Sequence, residues 1–151
     1  MIRKLWIFFT VVIITFLIDQ GIKQLFLDGY SYVGSCIDLT LHFNKGVAFS
    51  MFAFIGPYLK WLQALLIVGM LYYLVKEGYA KRYGVATGLL VGGALGNLYD
   101  RFIHEGVVDY VAWHCGFRFA VFNYADVAID LAVVWLVWVL YRTSEKGEKE
   151  A

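Results

Sequence analysis

Four long apolar stretches constrain the fold of this chain more than any other feature of its sequence. They cover residues 5–26, 57–75, 83–102 and 119–141. A transmembrane helix needs roughly 20 consecutive residues that are mostly apolar, because the hydrocarbon core of a bilayer is about 30 Å thick. The sequence therefore predicts four membrane-spanning helices, joined outside the membrane by segments 27–56 and 103–118.

The composition supports a membrane protein and excludes several other classes. Apolar and aromatic residues make up 61% of the 151 residues, and the mean hydropathy is +0.66. In soluble domains apolar residues make up roughly 45–50% by a similar definition. A chain of this size has too little interior to bury the additional apolar surface. The net charge of +1 gives no support for nucleic-acid binding, and two cysteines make neither a zinc site nor a disulfide framework.

The first apolar stretch also has features of a signal peptide. Arg3 and Lys4 precede the apolar residues, as they would in a secretory signal. A cleaved signal would end in a site of small residues, and the sequence from Phe16 to Asp19 offers none. We therefore expect this stretch to be retained as the first transmembrane helix.

The basic residues predict the orientation of the chain, because cytoplasmic loops carry an excess of Lys and Arg. With four spans, 8 of the 13 basic residues fall on one side: Arg3, Lys4, Lys76, Lys81, Arg82, Arg142, Lys146 and Lys149. Both termini are then cytoplasmic, and the charged tail from Thr143 to Ala151 is expected to be a frayed end. Segments 27–56 and 103–118 are expected outside.

Two patterns in and after the outer segments predict β-strands. Residues from Asp38 to Phe43 alternate polar and apolar, which is the period of a half-buried strand. Phe117, Phe119 and Val121 alternate in the same way after a predicted turn at 114–116. The fold class is therefore predicted as all-α in the membrane, with four helices and a small extracytoplasmic β-rich cradle. These segments either face a substrate or simply pack on the helix ends.

The third apolar stretch carries glycine at every fourth position, at 84, 88, 92 and 96. Residues at that spacing form one stripe along a helix, and small residues let membrane helices approach closely. The stripe predicts a packing face. A phosphate-binding loop is not indicated, since these glycines do not follow a strand.

Polar residues cluster at one depth of the predicted bundle. The outer half of the membrane or its edge holds Asp19, Lys23, Asn97, Asp100, Arg101, Asp126 and Asp130, and the adjacent outer segments hold Asn44, Asp109 and Asn123. Ionisable groups at membrane depth are costly unless paired or hydrated, so the cluster predicts one site at the outer surface. For several members a purely structural role is also open. Asp19 and Lys23 would then simply pair, Asp100 and Arg101 would cap the third helix, and Asp130 would be an accessory or merely hydrogen-bonded acid.

Asp109 and Asp126 are the candidates for catalysis within this cluster. Two carboxylates held together share a proton, so that one acts as a base on water while the other donates to a carbonyl. We expect Asp109 in an outer loop and Asp126 near the start of the last span, with a hairpin joining them. The residues alone leave a second function open, a proton- or ion-coupled carrier, although the inner halves of the spans contain no ionisable group except tyrosine.

Five motifs, taken together and in order, resemble the bacterial lipoprotein signal peptidases, also called signal peptidase II, a family of aspartic membrane peptidases. They are Asp19-Gln20-Gly21-Ile22-Lys23, the run from Asn44 to Ser50, the run from Gly92 to Arg101, Val107-Val108-Asp109-Tyr110 and Phe122-Asn123-Tyr124-Ala125-Asp126. The resemblance implies an endopeptidase that removes the signal peptide of a lipid-modified prolipoprotein just before its diacylglyceryl-cysteine. It also implies that Asp109 and Asp126 are the catalytic pair.

The resemblance implies the remaining features of the site as well. The supporting and substrate-binding residues would be Asp19, Lys23, Asn44, Gly46, Asn97, Arg101 and Asn123. No metal or cofactor is expected, and the implied partners are lipidated prolipoproteins, membrane lipids and globomycin-type inhibitors. The whole chain, 1–151, would be one monomeric domain in the cytoplasmic (inner) membrane with its active site at the outer face. Cys36 and Cys115 need no catalytic role, and we expect free thiols rather than a disulfide between them.

Overall fold

The computed structural model describes residues 5–46, 56–104 and 106–149. Arg3, Lys4 and the motif residues from Val47 to Ser50 lie outside the described residues. The described elements are, in chain order, α1 (Leu5–Leu27), β1 (Tyr32–Val33), β2 (Ile37–Asn44), α2 (Gly56–Lys76), α3 (Tyr79–Arg82), α4 (Gly84–Ile103), β3 (Val107–Trp113) and α5 (Tyr124–Lys149). The predicted combination of long helices with a small sheet is confirmed.

Helix α4 lies at the centre of the helical bundle. It packs against α1, α5 and α2, and half of its residues are buried. The outer helices instead expose large apolar side chains, among them Leu17 in α1, Leu65 in α2 and Val134 in α5. Exposed apolar surface on long helices is what a lipid environment covers.

Three helices of the described part of the chain are long and apolar enough to cross a membrane. They are Leu5–Leu27, Pro57–Lys76 and Tyr124–Thr143. Pro57 lies in the first turn of α2, where proline is tolerated because its missing N–H would have no partner in the helix. Helix α4 does not meet the same criterion, since several glycines and its polar end lower its hydropathy. The fourth span therefore stays a prediction at this point.

The glycine stripe of α4 is a packing face, as predicted. A Cβ on Gly88 would lie 2.7 Å from the Cβ of Val11, and one on Gly92 would lie 2.7 Å from the Cβ of Thr15. One on Gly96 would meet the Asp19 carboxylate. The stripe thus brings α1 so close to α4 that no side chain fits between their backbones, and this contact places the polar end of α1 beside that of α4.

The sheet is antiparallel with the order β1-β2-β3, and it covers one end of the bundle. The predicted strand at Asp38–Phe43 lies within β2 and is confirmed. Strand β3 corrects the prediction that Asp109 lies in a loop, because Asp109 pairs with His42 across the sheet. The first half of β3 is buried on both faces, so its sequence lacks the alternation that marks a half-buried strand.

The connection between β3 and α5 also differs from the sequence-based prediction. Residues Phe117–Val121 form no strand. The pairing with β3 consists of a single bridge between Val111 and Phe122. Helix α5 therefore begins at Tyr124 rather than at residue 119. The chain must first turn back along β3, where the backbone N–H of Phe119 donates to the Trp113 carbonyl.

The charged tail continues α5 to Lys149 instead of fraying at Thr143. The hydroxyl of Thr143 donates to the Val139 carbonyl one turn earlier, within the helix. Glu and Lys, which dominate this tail, are strong helix formers, so the helix extends past the apolar stretch into polar surroundings. The prediction of a frayed end is wrong for residues up to 149.

The prediction of free thiols at Cys36 and Cys115 is also wrong, because the two cysteines form a disulfide. They are 79 residues apart in sequence, with Cα atoms 4.4 Å apart. The pairing of Ile37 with Trp113 brings the ends of β2 and β3 together, and the His114 N–H donates to the Cys36 carbonyl. The sequence alone did not indicate this pairing, since it depends on the strand β3 that the pattern missed.

The packing of α1 on α4 predicts opposite effects for two glycine substitutions. Gly92→Ala should destabilise the protein by about 1–3 kcal/mol, because the new methyl group overlaps Thr15 and the Val12 carbonyl. Gly69→Ala in α2 is the control: no atom lies within 4 Å of its added Cβ, so the change should be neutral or stabilising. Thermal unfolding of the purified variants in detergent measures both. Equal unfolding temperatures would contradict the close approach of the two helices.

Candidate active site

All nine residues predicted for the site lie at the same end of the bundle, the end covered by the sheet. They come from five segments: Asp19 and Lys23 from α1, Asn44 and Gly46 from β2 and the turn after it, Asn97 and Arg101 from α4, Asp109 from β3, and Asn123 and Asp126 from the start of α5. A continuous set of hydrogen bonds and ion pairs connects them, with a branch through Arg101 and Gly46. The structure therefore brings the predicted residues together at one end of the bundle, and their role as one functional site stays a prediction.

The ammonium group of Lys23 is the centre of the inner part of the network. The side chain is 1% exposed, and its Nζ lies 2.7 Å from Asp19 Oδ2 and 2.7 Å from Asp100 Oδ2. The third acceptor is Asn97 Oδ1 at 3.1 Å. An ammonium has three N–H donors, so all three have a partner here. The simple pair of Asp19 with Lys23 is thus part of a larger arrangement that joins α1 to α4.

Asp100 belongs to the network, although the sequence analysis counted it in the polar cluster without naming it among the site residues. It is fully buried, and besides Lys23 it accepts hydrogen bonds from Gln20 Nε2 and from the Val108 N–H. Gln20, also missed, donates to Asp19 as well, at 3.1 Å. Both residues stand inside the motifs that carry the family resemblance, and that position was the available signal.

Asn97 connects this inner group to the two candidate catalytic acids. Its Oδ1 accepts from Lys23 and from Asn123 Nδ2, at 3.1 and 3.0 Å, and its Nδ2 donates to Asp126 Oδ1 at 2.8 Å. The charged pair inside the bundle therefore fixes which way the amide points. The amide in turn fixes one oxygen of Asp126.

Asn123 holds both candidate catalytic acids and also caps helix α5. Its Nδ2 donates to Asp109 Oδ1 at 2.7 Å, and its backbone N–H donates to Asp126 Oδ2 at 3.1 Å. Its own Oδ1 accepts from the Asp126 N–H at 3.0 Å, which completes the reciprocal arrangement of a capping box. The Asn-x-x-Asp pattern that starts the helix thus also places Asp126 next to Asp109.

Asp109 is the carboxyl group whose electrostatics are best defined. It is 2% exposed, and Asn44 Nδ2 donates to its Oδ2 at 3.1 Å. Burial and the nearby charge of Asp126 raise the pKa of Asp109 from 3.8 to about 6, against the opposing effect of the hydrogen bonds from Asn44 and Asn123. The pair can therefore hold a proton at a pH where an ordinary aspartate is ionised.

The two acids line a pocket of about 320 Å³ between α4, α5 and the connection that precedes α5. Arg101 lines it too and is only 8% exposed. One of its terminal nitrogens, Nη2, donates to the Gly46 carbonyl, whereas Nε and Nη1 have no acceptor among the described residues. Arg101 therefore does more than end the helix, since its guanidinium reaches the turn after β2. Arg101 thus lines a pocket that two carboxylates also line, and two of its buried donors have no acceptor among the described residues.

The role of Lys23 can be tested by removing its charge while keeping its shape. Lys23→Met leaves Asp19 and Asp100 buried without their cation, and breaking a buried ion pair in this way costs about 3–5 kcal/mol. Gln24→Ala is the control, since Gln24 contacts only Asp28 in an exposed hydrogen bond and should change stability by less than about 0.5 kcal/mol. Unfolding in detergent measures both. A small loss in Lys23→Met would show that the ion pairs do not hold α1 against α4.

Comparison with known proteins gives a consistent family match. The family model described as signal peptidase (SPase) II matches residues 11–142. A lipoprotein signal peptidase of Sulfurovum sp. is 72% identical over 139 residues, covering 92% of this chain and 95% of that protein. The corresponding protein of Sulfurimonas denitrificans is 52% identical and covers 93% and 92%, and one from Helicobacter pylori is 42% identical and covers 97% and 94%.

Two solved structures share the fold. Both are described as bacterial membrane enzymes. The first superposes with a TM-score of 0.79 at 23% identity, covering 92% of this chain and 90% of that one. The second has a TM-score of 0.71 at 24% identity and covers 88% and 91%. At that identity the likeness concerns the fold alone, and it agrees with a membrane protein.

Proposed function

The chain belongs to the signal peptidase II family, and on that premise we propose that Asp109 and Asp126 are its catalytic pair. Members of the family are lipoprotein signal peptidases, and this protein removes signal peptides from prolipoproteins. The observation that supports the aspartic mechanism is the placement of two carboxylates, from β3 and α5, on one asparagine at the wall of one pocket. The carrier alternative is set aside by the family match.

The mechanism follows from the single proton that such a pair holds. The ionised carboxylate takes a proton from a water molecule as that water attacks the scissile carbonyl carbon, and the protonated partner donates its proton to the carbonyl oxygen. When the tetrahedral intermediate collapses, one of its hydroxyl groups gives its proton to the ionised carboxylate, the C–N bond breaks and the departing amine takes the proton of the protonated carboxyl, so that the pair again holds one proton. The raised pKa of Asp109 supports a proton held between the two carboxyl groups.

The surrounding amides orient this pair. The side-chain amides of Asn44, Asn97 and Asn123 each donate a hydrogen bond to one of the four carboxylate oxygens, and the backbone N–H of Asn123 donates to the fourth. These hydrogen bonds fix the plane of each carboxylate. Lys23, Asp19 and Asp100 hold the helices that carry these amides. Arg101 keeps two donors free for a substrate carbonyl beside the pair.

The proposed topology has four spans, both termini in the cytoplasm and the site at the outer face of the cytoplasmic membrane. Helix α4, the third long helix in chain order, is the additional span, and half of its residues are buried as it packs against α1, α2 and α5. The disulfide between Cys36 and Cys115 supports this orientation independently of the basic residues, because disulfides persist on the oxidising side of a membrane. Lys76, Lys81 and Arg82 lie in and around α3, at the other end of the bundle.

The proposed substrates are lipid-modified precursors, and the proposed active form is a monomer. A catalytic pair near membrane depth reaches a scissile bond only if the substrate is anchored beside it. A lipid on the cysteine that follows the bond provides that anchor. A cyclic lipopeptide of the globomycin type would occupy the same pocket beside Asp109 and Asp126.

Removing either carboxylate tests the catalytic assignment. Asp109→Asn and Asp126→Asn should each abolish cleavage of a lipidated prolipoprotein by purified protein in lipid, because an amide neither accepts the proton of water nor cycles as an acid. Asp38→Asn is the control, since Asp38 pairs with His114 in the sheet at 3.3 Å and belongs to no part of the pair. Wild-type protein should leave the unlipidated precursor uncut. Near-normal turnover by either catalytic variant would contradict the assignment.

The pKa of Asp109 predicts how activity depends on pH. The pair is active with one proton, so kcat/KM should fall in acid, where both groups are protonated, and fall again at alkaline pH as the shared proton is lost. The alkaline limb should have an apparent pKa near 6, because the folded protein raises the pKa of Asp109 to about 6 and the proton is lost above that value. Initial rates at substrate concentrations below KM measure the profile. A kcat/KM that keeps rising to pH 9 would show that this proton is not required.

A further inference from the structure

Asp130 is a carboxylate on α5 that has no role in the mechanism proposed for the catalytic pair. It lies four residues after Asp126, which places it about 6 Å further along the helix, away from the outer end. Its side chain is exposed, and it lines the same pocket as Asp109 and Asp126. It makes no hydrogen bond or ion pair with another residue of the described chain.

An unpaired acid at this position needs a physical reason. Asp130 stands within Tyr124–Thr143, a helix that is long and apolar enough to cross a membrane. Ionisable residues in such helices are costly, and those that occur face a partner or a cavity used by a ligand. Because Asp130 has no partner among the described residues, we expect its partner to be a molecule that enters the pocket.

The opposite kind of group is also unpartnered in the same pocket. Arg101 on α4 is buried, and its Nε and Nη1 donors have no acceptor among the described residues. The pocket is therefore lined by a guanidinium of α4 with two unsatisfied N–H donors and by a carboxylate of α5 without a hydrogen-bond partner, together with the catalytic pair. An extended peptide presents C=O acceptors and N–H donors in alternation, so it is the ligand that satisfies both.

We propose that Asp130 accepts a backbone N–H of the substrate on the signal-peptide side of the scissile bond. The inference rests on the proposed function and adds a residue that selects for an extended segment there. A signal peptide has an apolar region that lies in the bilayer and precedes the cleavage site, so residues deeper than the catalytic pair belong to the signal peptide. The cleavage segment must be extended to enter the pocket. Its backbone N–H groups then need an acceptor at a depth where water is scarce.

Three variants test the proposal in purified protein with a lipidated prolipoprotein. Asp130→Ala should lower kcat/KM about tenfold, mainly through KM, because a hydrogen bond to a charged acceptor is lost. Asp130→Asn should lower it only about threefold, since the amide oxygen still accepts. Val134→Ala is the control, as Val134 is an exposed residue one turn further along α5 and lies outside the pocket.

Precursors with a single N-methylated peptide bond identify the N–H. One such methyl before the scissile bond should lower kcat/KM for the wild type and add nothing to the loss in Asp130→Ala, since both changes remove the same hydrogen bond. Additive losses at every position, or wild-type kinetics in Asp130→Ala, would overturn the proposal. An equal loss in Asp130→Asn and Asp130→Ala, with a shifted alkaline limb, would overturn it in favour of a charge effect on the pair.

Failure of the proposed function looks different from failure of this inference. If Asp109→Asn kept its activity, the catalytic pair itself would be wrongly assigned, whatever Asp130 does. If Asp109→Asn were inactive and Asp130→Ala were normal, only the role of Asp130 would be wrong. The isosteric Asp130→Asn variant keeps the comparison possible should Asp130→Ala fold poorly.

Discussion

The buried ammonium of Lys23 is the interaction on which the rest of the site depends. It is held between Asp19 of its own helix and Asp100 of α4, with Asn97 as the third acceptor. A charge in this position is stable only while all its partners stay in place, because removing one leaves an uncompensated charge away from water. The group therefore fixes α1 against α4 at the end where the catalytic pair lies. The glycine stripe makes that approach possible, since a side chain at Gly96 would collide with Asp19.

The buried Lys23 group positions the two carboxylates that we propose as catalytic, and it does so through two asparagines. Lys23 orients Asn97, Asn97 orients Asp126 and Asn123, and Asn123 holds Asp109. Asn123 and Asp126 also form the capping box of α5, so the start of a membrane helix and the geometry of the pair are one structure. The carboxylate that stabilises the helix end is thus one of the two that we propose as catalytic. Because this arrangement holds two acids close together, the pKa of Asp109 is raised. The pair can then share a proton, which the proposed chemistry requires.

Except at the C-terminal tail, the errors of the sequence-based prediction come from contacts between distant segments. Strand β3 was missed because burial on both faces removes the alternation by which a strand is recognised. The disulfide was missed for the same reason, since only the pairing of β2 with β3 brings Cys36 and Cys115 together. The burial of Asp100 and Arg101 did not follow from the sequence either, because both stand at the end of an apolar stretch, where a role as helix caps was open. In the fold both are buried, one by Lys23 and one beside the Gly46 carbonyl.

The sequence by itself determined the long apolar helices, the packing face of α4 and the set of polar residues that belong together. These depend on residue type and spacing along one helix, which are properties of the local chain, and on motifs close enough to a known family to be recognised. The tertiary structure alone decided that Asp109 lies on a strand, that Lys23 joins two acids from different helices, and that Arg101 and Asp130 line the pocket of the two acids. Such facts depend on which surfaces meet when segments about 80 residues apart pack together, and no local pattern in the sequence carries that information.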